Sequence, residues 1–275
     1  MSRSMLLAGL VLAFVFSSAR AGDDAPRPVR IPLALQHGLP TTTRATVAGK
    51  PLTLVLDAGS YQVVGLKTSV LGRLPVRFTG DTESSGDADG HVFTSRIFHA
   101  EQLVAGTLVA TQFDGNELVG GGKAALPQDG LIGFGLLGRY QMVFDEPGGE
   151  LRLYPSSAPS VLARECGSEG GPLRVERGVM VSDVQTGHGV FRVQWDSGSA
   201  ADVLRPSAVA GRIKDADLLR RVTFRQFDVV GQPAGPQEFV LRQFPAPDVD
   251  AVLGTGFFSK HVVCLDPSRG RVAFR

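Results

Sequence analysis

The sequence predicts an all-β protein made of two copies of one folding unit. Glycine (34 residues) and proline (17 residues) are abundant, and the apolar runs are short. This composition is typical of many short strands separated by turns. Similar segments also recur at constant spacing in the two halves of the chain, which indicates a duplicated structural unit.

The clearest repeat closes each half of the chain. Asp129 and Asp145 are 16 positions apart in the first half. Asp250 and Asp266 are the same 16 positions apart in the second half. Three glycines of each half match at constant offsets, namely Gly133, Gly135 and Gly149 in the first and Gly254, Gly256 and Gly270 in the second. We therefore expect each half to end in an apolar-apolar-Gly segment and a closing hairpin.

A second repeat lies upstream in each half. An apolar run ends in Asp57-Ala-Gly-Ser in the first half and in Asp196-Ser-Gly-Ser in the second. From Asp57 to Asp129 there are 72 positions, whereas from Asp196 to Asp250 there are 54. The two copies are therefore related but unequal, because the middle of the first copy is longer.

Local patterns predict the elements around these motifs. Residues 45–56 and 184–193 each indicate two short strands around a glycine-containing turn. Turns at 146–149 and 267–270 are expected to fold the closing hairpins, because Gly and Pro favour reversals of the chain.

Helices are expected to be few and short, after Gly133 and around residues 214–221. Residues 156–171 are rich in Ser, Pro, Gly and Ala and are predicted to link the two units. The expected domains are accordingly residues 22–158 and residues 159–275.

The first 21 residues predict a secretory signal peptide. Arg3 precedes an apolar run at 5–16, and Ala19-Arg-Ala is a small-x-small cleavage site. The alternative is a retained membrane anchor, but this run is short of the roughly 20 residues that span a bilayer. We therefore expect a mature chain without a membrane span, exported to the periplasm or secreted.

Charge and cysteine usage limit the classes of function. The formal net charge of +1 offers no electrostatic case for binding nucleic acid or an anionic membrane. No metal site is expected, since the His and Cys residues show neither CxxC nor HExxH spacing. Cys166 and Cys264 are the only cysteines, and they either form one disulfide or remain two buried thiols.

The two Asp motifs resemble those of the aspartic-peptidase superfamily. Its hallmark is hydrophobic-hydrophobic-Asp-Thr/Ser-Gly-Ser/Ala, followed later by hydrophobic-hydrophobic-Gly. In this chain, the first segment that resembles this pattern is Asp57-Ala-Gly-Ser with residues 131–133. The second is Asp196-Ser-Gly-Ser with residues 252–254. The resemblance covers most of the mature chain. It implies a two-lobed aspartic-protease-like barrel fold, with retropepsin-like lobes in tandem on one chain as in pepsin.

The resemblance implies that Asp57 and Asp196 form a catalytic pair. Two carboxyl groups a few ångströms apart do not both ionise, so one takes a proton from water while the other donates one to the scissile carbonyl. No metal or organic cofactor is implied. The residues expected to support the pair, through close backbone approach and hydrogen bonds to the carboxylates, are Gly59, Ser60, Ser197, Gly198 and Ser199.

Two residues depart from the family pattern. Family members usually have a hydroxyl residue after each Asp, which bonds across to the opposite lobe; Ser197 can do so, whereas Ala58 has no hydroxyl. Trp195 is an unusual residue directly before the second Asp, and it either packs inside the lobe or crowds the cleft. Both departures weaken the expectation of catalysis without removing a carboxylate.

A flap over the cleft is expected from residues 82–93. This segment has a polar tip with Gly86 and Gly90 between apolar flanks, as a mobile hairpin requires. The alternative is an ordinary surface turn. Residues 231–235 of the second half are interpreted as a plain connection.

Two competing motifs are weaker. Residues 133–138 match G-x-G-x-x-G, but a dinucleotide site needs this pattern after the first strand of a βαβ unit. Asp196-Ser-Gly is similar to the surroundings of a serine-protease nucleophile, but no His lies in a recognisable motif.

Three hypotheses for function follow. The first is an exported aspartic-type endopeptidase, a monomer acting on a peptide or protein substrate. The second is a weakly active or inactive protein that keeps the cleft and holds extended peptide by strand addition. The third is a structural β protein whose Asp-x-Gly turns only shape loops.

Overall fold

The computed structural model describes residues 26–86, 92–119, 125–213, 220–244, 246 and 248–275. The predicted signal peptide lies outside these residues. The described chain is mostly β, and its helices are four or five residues long, so the prediction of an all-β protein with a few short helices is confirmed. In the part of the chain that the structure describes, no helix is long and apolar enough to cross a membrane.

The strands, in chain order, are β1 Val29–Pro32, β2 Ala34–Gln36, β3 Leu39–Val47, β4 Lys50–Asp57, β5 Val64–Lys67, β6 Arg77–Gly86, β7 Val92–Ala105, β8 Leu108–Leu118, β9 Gly130–Gly133, β10 Tyr140–Asp145, β11 Glu150–Pro155, β12 Gly171–Pro172, β13 Arg174–Glu176, β14 Val179–Thr186, β15 Gly189–Trp195, β16 Val203–Leu204, β17 Arg221–Phe224, β18 Phe227–Val229, β19 Gln232–Pro233, β20 Gln237–Leu241, β21 Ala251–Leu253, β22 Val262–Asp266 and β23 Arg271–Phe274. The helices are α1 Thr68–Leu71, α2 Phe134–Leu137, α3 Leu162–Cys166, α4 Pro206–Val209 and α5 Thr255–Phe258.

These strands form three sheets. The first-half sheet has the order β2-β3-β4-β9-β5-β8-β7-β6, with an additional pairing of β3 with β7. The second-half sheet has the order β17-β20-β16-β21-β15-β14-β18-β19, and β13 pairs with β14. The central sheet, β1-β11-β10-β22-β23-β12, takes strands from both halves. Two sheets are therefore built from one half each, and the third joins them.

The central sheet is symmetric about its middle. Its two inner strands, β10 and β22, are antiparallel, and Val143 pairs with Cys264. These two residues occupy equivalent positions of the sequence repeat, since each lies two residues before the repeated Asp145 or Asp266. A strand pair that places equivalent residues opposite each other implies an approximate twofold axis between them.

The structure contains several of the predicted local elements. The strand pair at 45–56 is present as β3 and β4, and its counterpart as β14 and β15. The helix expected after Gly133 is α2. For the helix expected at 214–221, residues 214–219 lie outside the described residues, and Arg221 begins strand β17 instead.

The predicted linker at 156–171 is an ordered segment that contains α3. Cys166 at the end of α3 forms a disulfide with Cys264 in the middle of the central sheet. The side-chain amide of Gln141 also donates to the carbonyl groups of Ala158 and Pro159, each at 3.1 Å. The disulfide interpretation of the two cysteines is therefore the one that the structure bears out.

One large apolar core runs through both halves. Its fully buried members include Leu54 and Leu56 of β4, Phe144 of β10, and Trp195 of β15. A smaller cluster surrounds the disulfide. Burial of apolar area on this scale is the main stabilising term for such a fold. It also fixes the two Asp motifs, which directly follow buried strands.

Candidate functional site

The same strand arrangement surrounds each Asp motif. In the first half β9 lies between β4, to which it is parallel, and β5, to which it is antiparallel. In the second half β21 lies in the same way between β15 and β16. Asp57 pairs with Gly133 at the end of β4, and Asp196 donates its backbone N–H to Leu253 O at 3.0 Å. The apolar-apolar-Gly segments therefore lie directly beside the Asp motifs.

Close packing explains why glycine recurs in those segments. A Cβ atom built on Gly133 would lie 2.2 Å from Gln62 O, and one built on Gly254 would lie 2.5 Å from Ser199 O. Both distances are far below van der Waals contact. The loop after each Asp can approach its partner strand this closely only because the side chain is absent.

The two Asp motifs face each other. A Cβ atom built on Gly59 would lie 2.1 Å from Asp196 Cγ, and one built on Gly198 would lie 2.3 Å from Asp57 Cγ. Each carboxyl group therefore packs against the glycine of the opposite motif. Each also accepts a hydrogen bond at 3.0 Å from the N–H of the glycine in its own motif. Two residues that are 139 positions apart in the chain thus share one small site.

A hydroxyl group crosses between the motifs in one direction. Ser197 Oγ donates to Leu56 O at 2.8 Å and accepts from the Ala58 N–H at 2.9 Å. Both Ser197 and Ala58 are completely buried. Because Ala58 has no hydroxyl, the reciprocal pair of bonds cannot form from its side chain. Asp57 is 2% exposed, whereas Asp196 is partly exposed, so the two carboxyl groups have different surroundings.

The two serines that end the motifs support the loops. Ser199 Oγ donates to Ala201 O at 2.7 Å, so its proton is not directed at a carboxylate. Ser60 is buried, and its carbonyl oxygen accepts from Phe134 N–H at 2.6 Å. The Ser199 carbonyl accepts in the same way from Thr255 N–H at 2.9 Å. Both serines therefore attach their motif to the segment after the repeated glycine.

Trp195 packs inside the protein. Its side chain is fully buried, and its indole N–H donates to Ser182 Oγ at 3.1 Å. Its ring makes edge-to-face contacts with Phe257 and Phe258, at centroid distances of 5.6 and 6.2 Å. Of the two readings of this residue, packing is therefore the one that the geometry supports.

The segment predicted to be a flap begins and ends as a β-hairpin. Strands β6 and β7 are antiparallel, and Gly86 pairs with Val92 at the last described position. Gly90 lies outside the described residues. The base of the hairpin is held by Arg96, whose guanidinium bonds the carboxylate of buried Glu117 at 2.7 and 2.9 Å. The Arg96 bond also holds the pKa of Glu117 below its usual range.

Two further turns reach the site, although no sequence motif pointed to them. His37-Gly38 joins β2 to β3, and a Cβ atom built on Gly38 would lie 3.7 Å from Ala200 Cβ in the second half. Arg177-Gly178 joins β13 to β14, and a Cβ atom built on Gly178 would lie 3.0 Å from Tyr61 Cβ in the first half.

All four residues of these turns have positive φ, which is typical of two-residue hairpin turns. The signal that could have found them is a Gly after a polar residue, repeated at an offset of 140 positions.

Asp202 is a buried acid close to the second motif. It is 2% exposed, and burial raises its pKa to about 7. Its carboxylate accepts from Gly254 N–H at 2.7 Å and Phe257 N–H at 3.2 Å, and it also bonds the Gln237 side chain. The strand register makes Val64 the equivalent residue of the first half, so Asp202 is a difference between the two copies.

A second concave site lies away from the Asp motifs. A surface depression of about 440 Å³ lies at the opposite end of β15 from Asp196, and it is lined by Gly187, His188, Thr223, Phe224, Arg225 and Gln226. Its lining contains no Asp, Glu, Cys or Ser residue. Within the described ranges, no cluster of three or more His, Cys, Asp or Glu residues could hold a metal ion.

The glycines at 133–138 do not form a dinucleotide site. They follow β9 and open a helix of four residues, and the next strand, β10, belongs to a different sheet. A dinucleotide fingerprint needs a longer helix that returns to the same parallel sheet. The paired Asp motifs therefore remain the main candidate site.

No family model matches the chain, and no curated protein is significantly similar to it. The assignment of a function therefore depends on the geometry described above.

Proposed function

We propose that this chain is an aspartic-type endopeptidase of the two-lobed fold, in which Asp57 and Asp196 activate water for attack on a peptide bond. The observation that carries the proposal is the reciprocal packing of each carboxyl group against the glycine of the opposite motif. The repeated strand order around each Asp supports the two-lobed fold, because both halves build the same loop from parallel and antiparallel neighbours.

The proposed mechanism uses the two carboxyl groups in different protonation states. The ionised carboxylate accepts a proton from water, which then attacks the scissile carbonyl carbon. The protonated carboxyl group donates to the carbonyl oxygen, so charge does not accumulate there. The N–H groups of Gly59 and Gly198 orient the carboxylates, since each donates to the Asp of its own motif.

The substrate in this proposal is an extended segment of a peptide or protein. We propose that the long hairpin of β6 and β7 in the first half, described as far as the Gly86–Val92 pair, lies over a bound chain. Because one chain supplies both carboxyl groups, we propose a monomer as the active form.

Export to an oxidising compartment fits the same proposal. The Cys166–Cys264 disulfide supports it, because disulfides persist in secreted and periplasmic proteins and are rare in the cytosol. The predicted signal peptide is the second argument for export.

The test is a peptide-library cleavage assay from acid to neutral pH, run on the wild type and on Asp57→Asn and Asp196→Asn. We expect each variant to lose turnover by about 10²–10⁴-fold, as removal of general acid–base groups does. Asp183→Asn is the matched control, since Asp183 is exposed and pairs with Arg174 on the surface. An Asn variant at either site that cleaves peptides as fast as the wild type would contradict the proposal.

The second candidate function is peptide binding without catalysis. It is favoured by Ala58, which has no hydroxyl to complete the hydrogen bonding between the motifs, and by the burial of Asp57. In that case an extended peptide would bind and remain uncut. Turnover that a statine-type transition-state inhibitor blocks would exclude this candidate.

A further inference from the structure

The Leu253–Gly254 peptide group is hydrogen-bonded on both sides. Its carbonyl oxygen accepts from the Asp196 N–H at 3.0 Å. Its N–H donates to Asp202 Oδ1 at 2.7 Å. A peptide group is planar and rigid, so fixing its N–H also fixes the direction of its C=O. The orientation of the backbone at Asp196 is therefore coupled to the carboxylate of Asp202 through a single peptide unit.

In the first half, a backbone carbonyl group and not a side chain accepts from the equivalent glycine N–H. There the Gly133 N–H donates at 3.1 Å to the carbonyl oxygen of Val63. Lys67 and Arg205 donate to the equivalent carbonyl groups of Asp129 and Asp250, so the residues three positions earlier, Val64 and Asp202, are equivalent in the structure. The second half thus replaces a neutral backbone acceptor with a carboxylate. A charge-assisted bond is shorter and stronger than a neutral one.

Burial of this carboxylate is unfavourable for folding. Burial raises the pKa of Asp202 to about 7, although the Gly254 N–H, the Gln237 amide and the charge of Lys260 oppose that rise. The groups that face Asp202 are therefore two backbone N–H groups, the Gln237 side chain from β20, and Lys260 beyond α5. Buried Val64 occupies the equivalent position of the first half, so the fold does not itself require an acid there.

We propose that Asp202 is a positioning residue for Asp196: it holds the Leu253–Gly254 peptide group, and that group holds the backbone of Asp196. The effect on catalysis rests on the proposed function, whereas the positioning itself does not. Asp202 touches no reacting atom in this proposal.

Two variants separate the hydrogen bond from the packing. Asp202→Asn keeps an acceptor oxygen for Gly254 N–H, and its amide can donate to Gln237 Oε1, which lacks a partner within the described residues. Asp202→Val copies Val64 of the first half and removes the acceptor. The fluorescence of Trp195, the single tryptophan, reports whether each variant folds.

The first measurement is steady-state peptide cleavage. We expect Asp202→Val to lower kcat at least about tenfold while KM changes less than about threefold, because positioning acts on the reacting group rather than on binding. Asp202→Asn should keep kcat within about threefold of the wild type at acid pH. Equal kcat in Asp202→Val and the wild type would overturn the proposal, and so would an equal loss in both variants.

The second measurement needs no turnover and no valine variant. The backbone amide resonances of Asp196 and Gly254 are followed by NMR as the pH is raised through neutrality. In the wild type both should shift as Asp202 loses its proton, and in Asp202→Asn this step should be absent. A Gly254 amide that shifts while the Asp196 amide stays fixed would overturn the coupling. Absence of peptide cleavage by the wild type would instead contradict only the proposed function.

Discussion

The hydroxyl group of Ser197 bonds the backbone of Ala58 across the two halves of the chain, at 2.9 Å from the Ala58 nitrogen. The same hydroxyl donates to Leu56 O at 2.8 Å, so one side chain bridges two backbone groups of the opposite motif. Both Asp residues nevertheless lie in the same arrangement of parallel and antiparallel strands. Because Ala58 has no hydroxyl, side-chain hydroxyl bonds between the two motifs come from Ser197 only.

Completing the connection from the other side should stabilise the protein. By the symmetry of the site, a hydroxyl at position 58 would face the Ser197 N–H and Trp195 O. We expect Ala58→Ser to raise the free energy of unfolding by about 1 kcal/mol, measured by urea denaturation. Ser197→Ala, the matched removal, should lower it by about 1–3 kcal/mol because two buried backbone groups lose their partner. Ala58→Ser with unchanged or lower stability would contradict this reasoning.

Adding a methyl group at either motif glycine should force the motifs apart. A Cβ atom on Gly59 or Gly198 would overlap the carboxyl group of the opposite Asp. We expect Gly59→Ala and Gly198→Ala each to lower the free energy of unfolding by about 1–3 kcal/mol, as overpacking does. Gly72→Ala is the control, since a Cβ there would meet only Thr68 O at 3.8 Å and its φ is −62°. The same loss in all three variants would argue against the facing arrangement.

The disulfide should stabilise the protein strongly, because it joins residues that are 98 positions apart in the chain. We expect Cys166→Ala/Cys264→Ala to lower the free energy of unfolding by about 2–5 kcal/mol in guanidinium denaturation. A disulfide leaves no thiol to alkylate, so alkylation of the oxidised protein, whether folded or unfolded without reductant, should modify neither cysteine. Mass spectrometry that finds two alkylated thiols in the native protein would contradict the pairing.

The pH dependence of stability should contain a contribution from Glu146. This residue is 8% exposed, its carboxyl oxygens have no hydrogen-bond partner within the described residues, and burial raises its pKa to about 8. Between its ordinary pKa of 4.5 and about 8, the folded protein keeps a proton that the unfolded chain has lost. Stability therefore falls as the pH rises through this window, by at most roughly 1.4 kcal/mol per pH unit.

Glu146→Gln removes this titration while keeping a similar shape. The free energy of unfolding of the variant, relative to the wild type, should increase between about pH 5 and about pH 7.5. Asp202 titrates in both proteins, so its contribution cancels in the difference. A difference that stays constant across this range would show that Glu146 does not carry a raised pKa.

Sequence patterns predicted the β class, the hairpin pairs and the repeated glycines. These features are local: alternation of apolar residues sets strands, and a glycine is needed wherever two backbones approach too closely for a Cβ atom. The helix expected around residues 214–221 shows the limit of local patterns. Arg221 begins a strand there, because its pairing with Val240 in the second-half sheet outweighs local preference.

The sequence by itself determined that the chain is duplicated, that Asp57 and Asp196 are equivalent, and that Ala58 breaks the equivalence. Only the tertiary structure decided that each Asp packs against the opposite Gly, that Trp195 is a core residue, and that the cysteines are bonded. It also revealed Asp202, whose importance depends on a peptide group contributed by another strand. The physical reason is that these features are contacts between residues far apart in the chain, and such contacts leave no spacing that a sequence pattern can show.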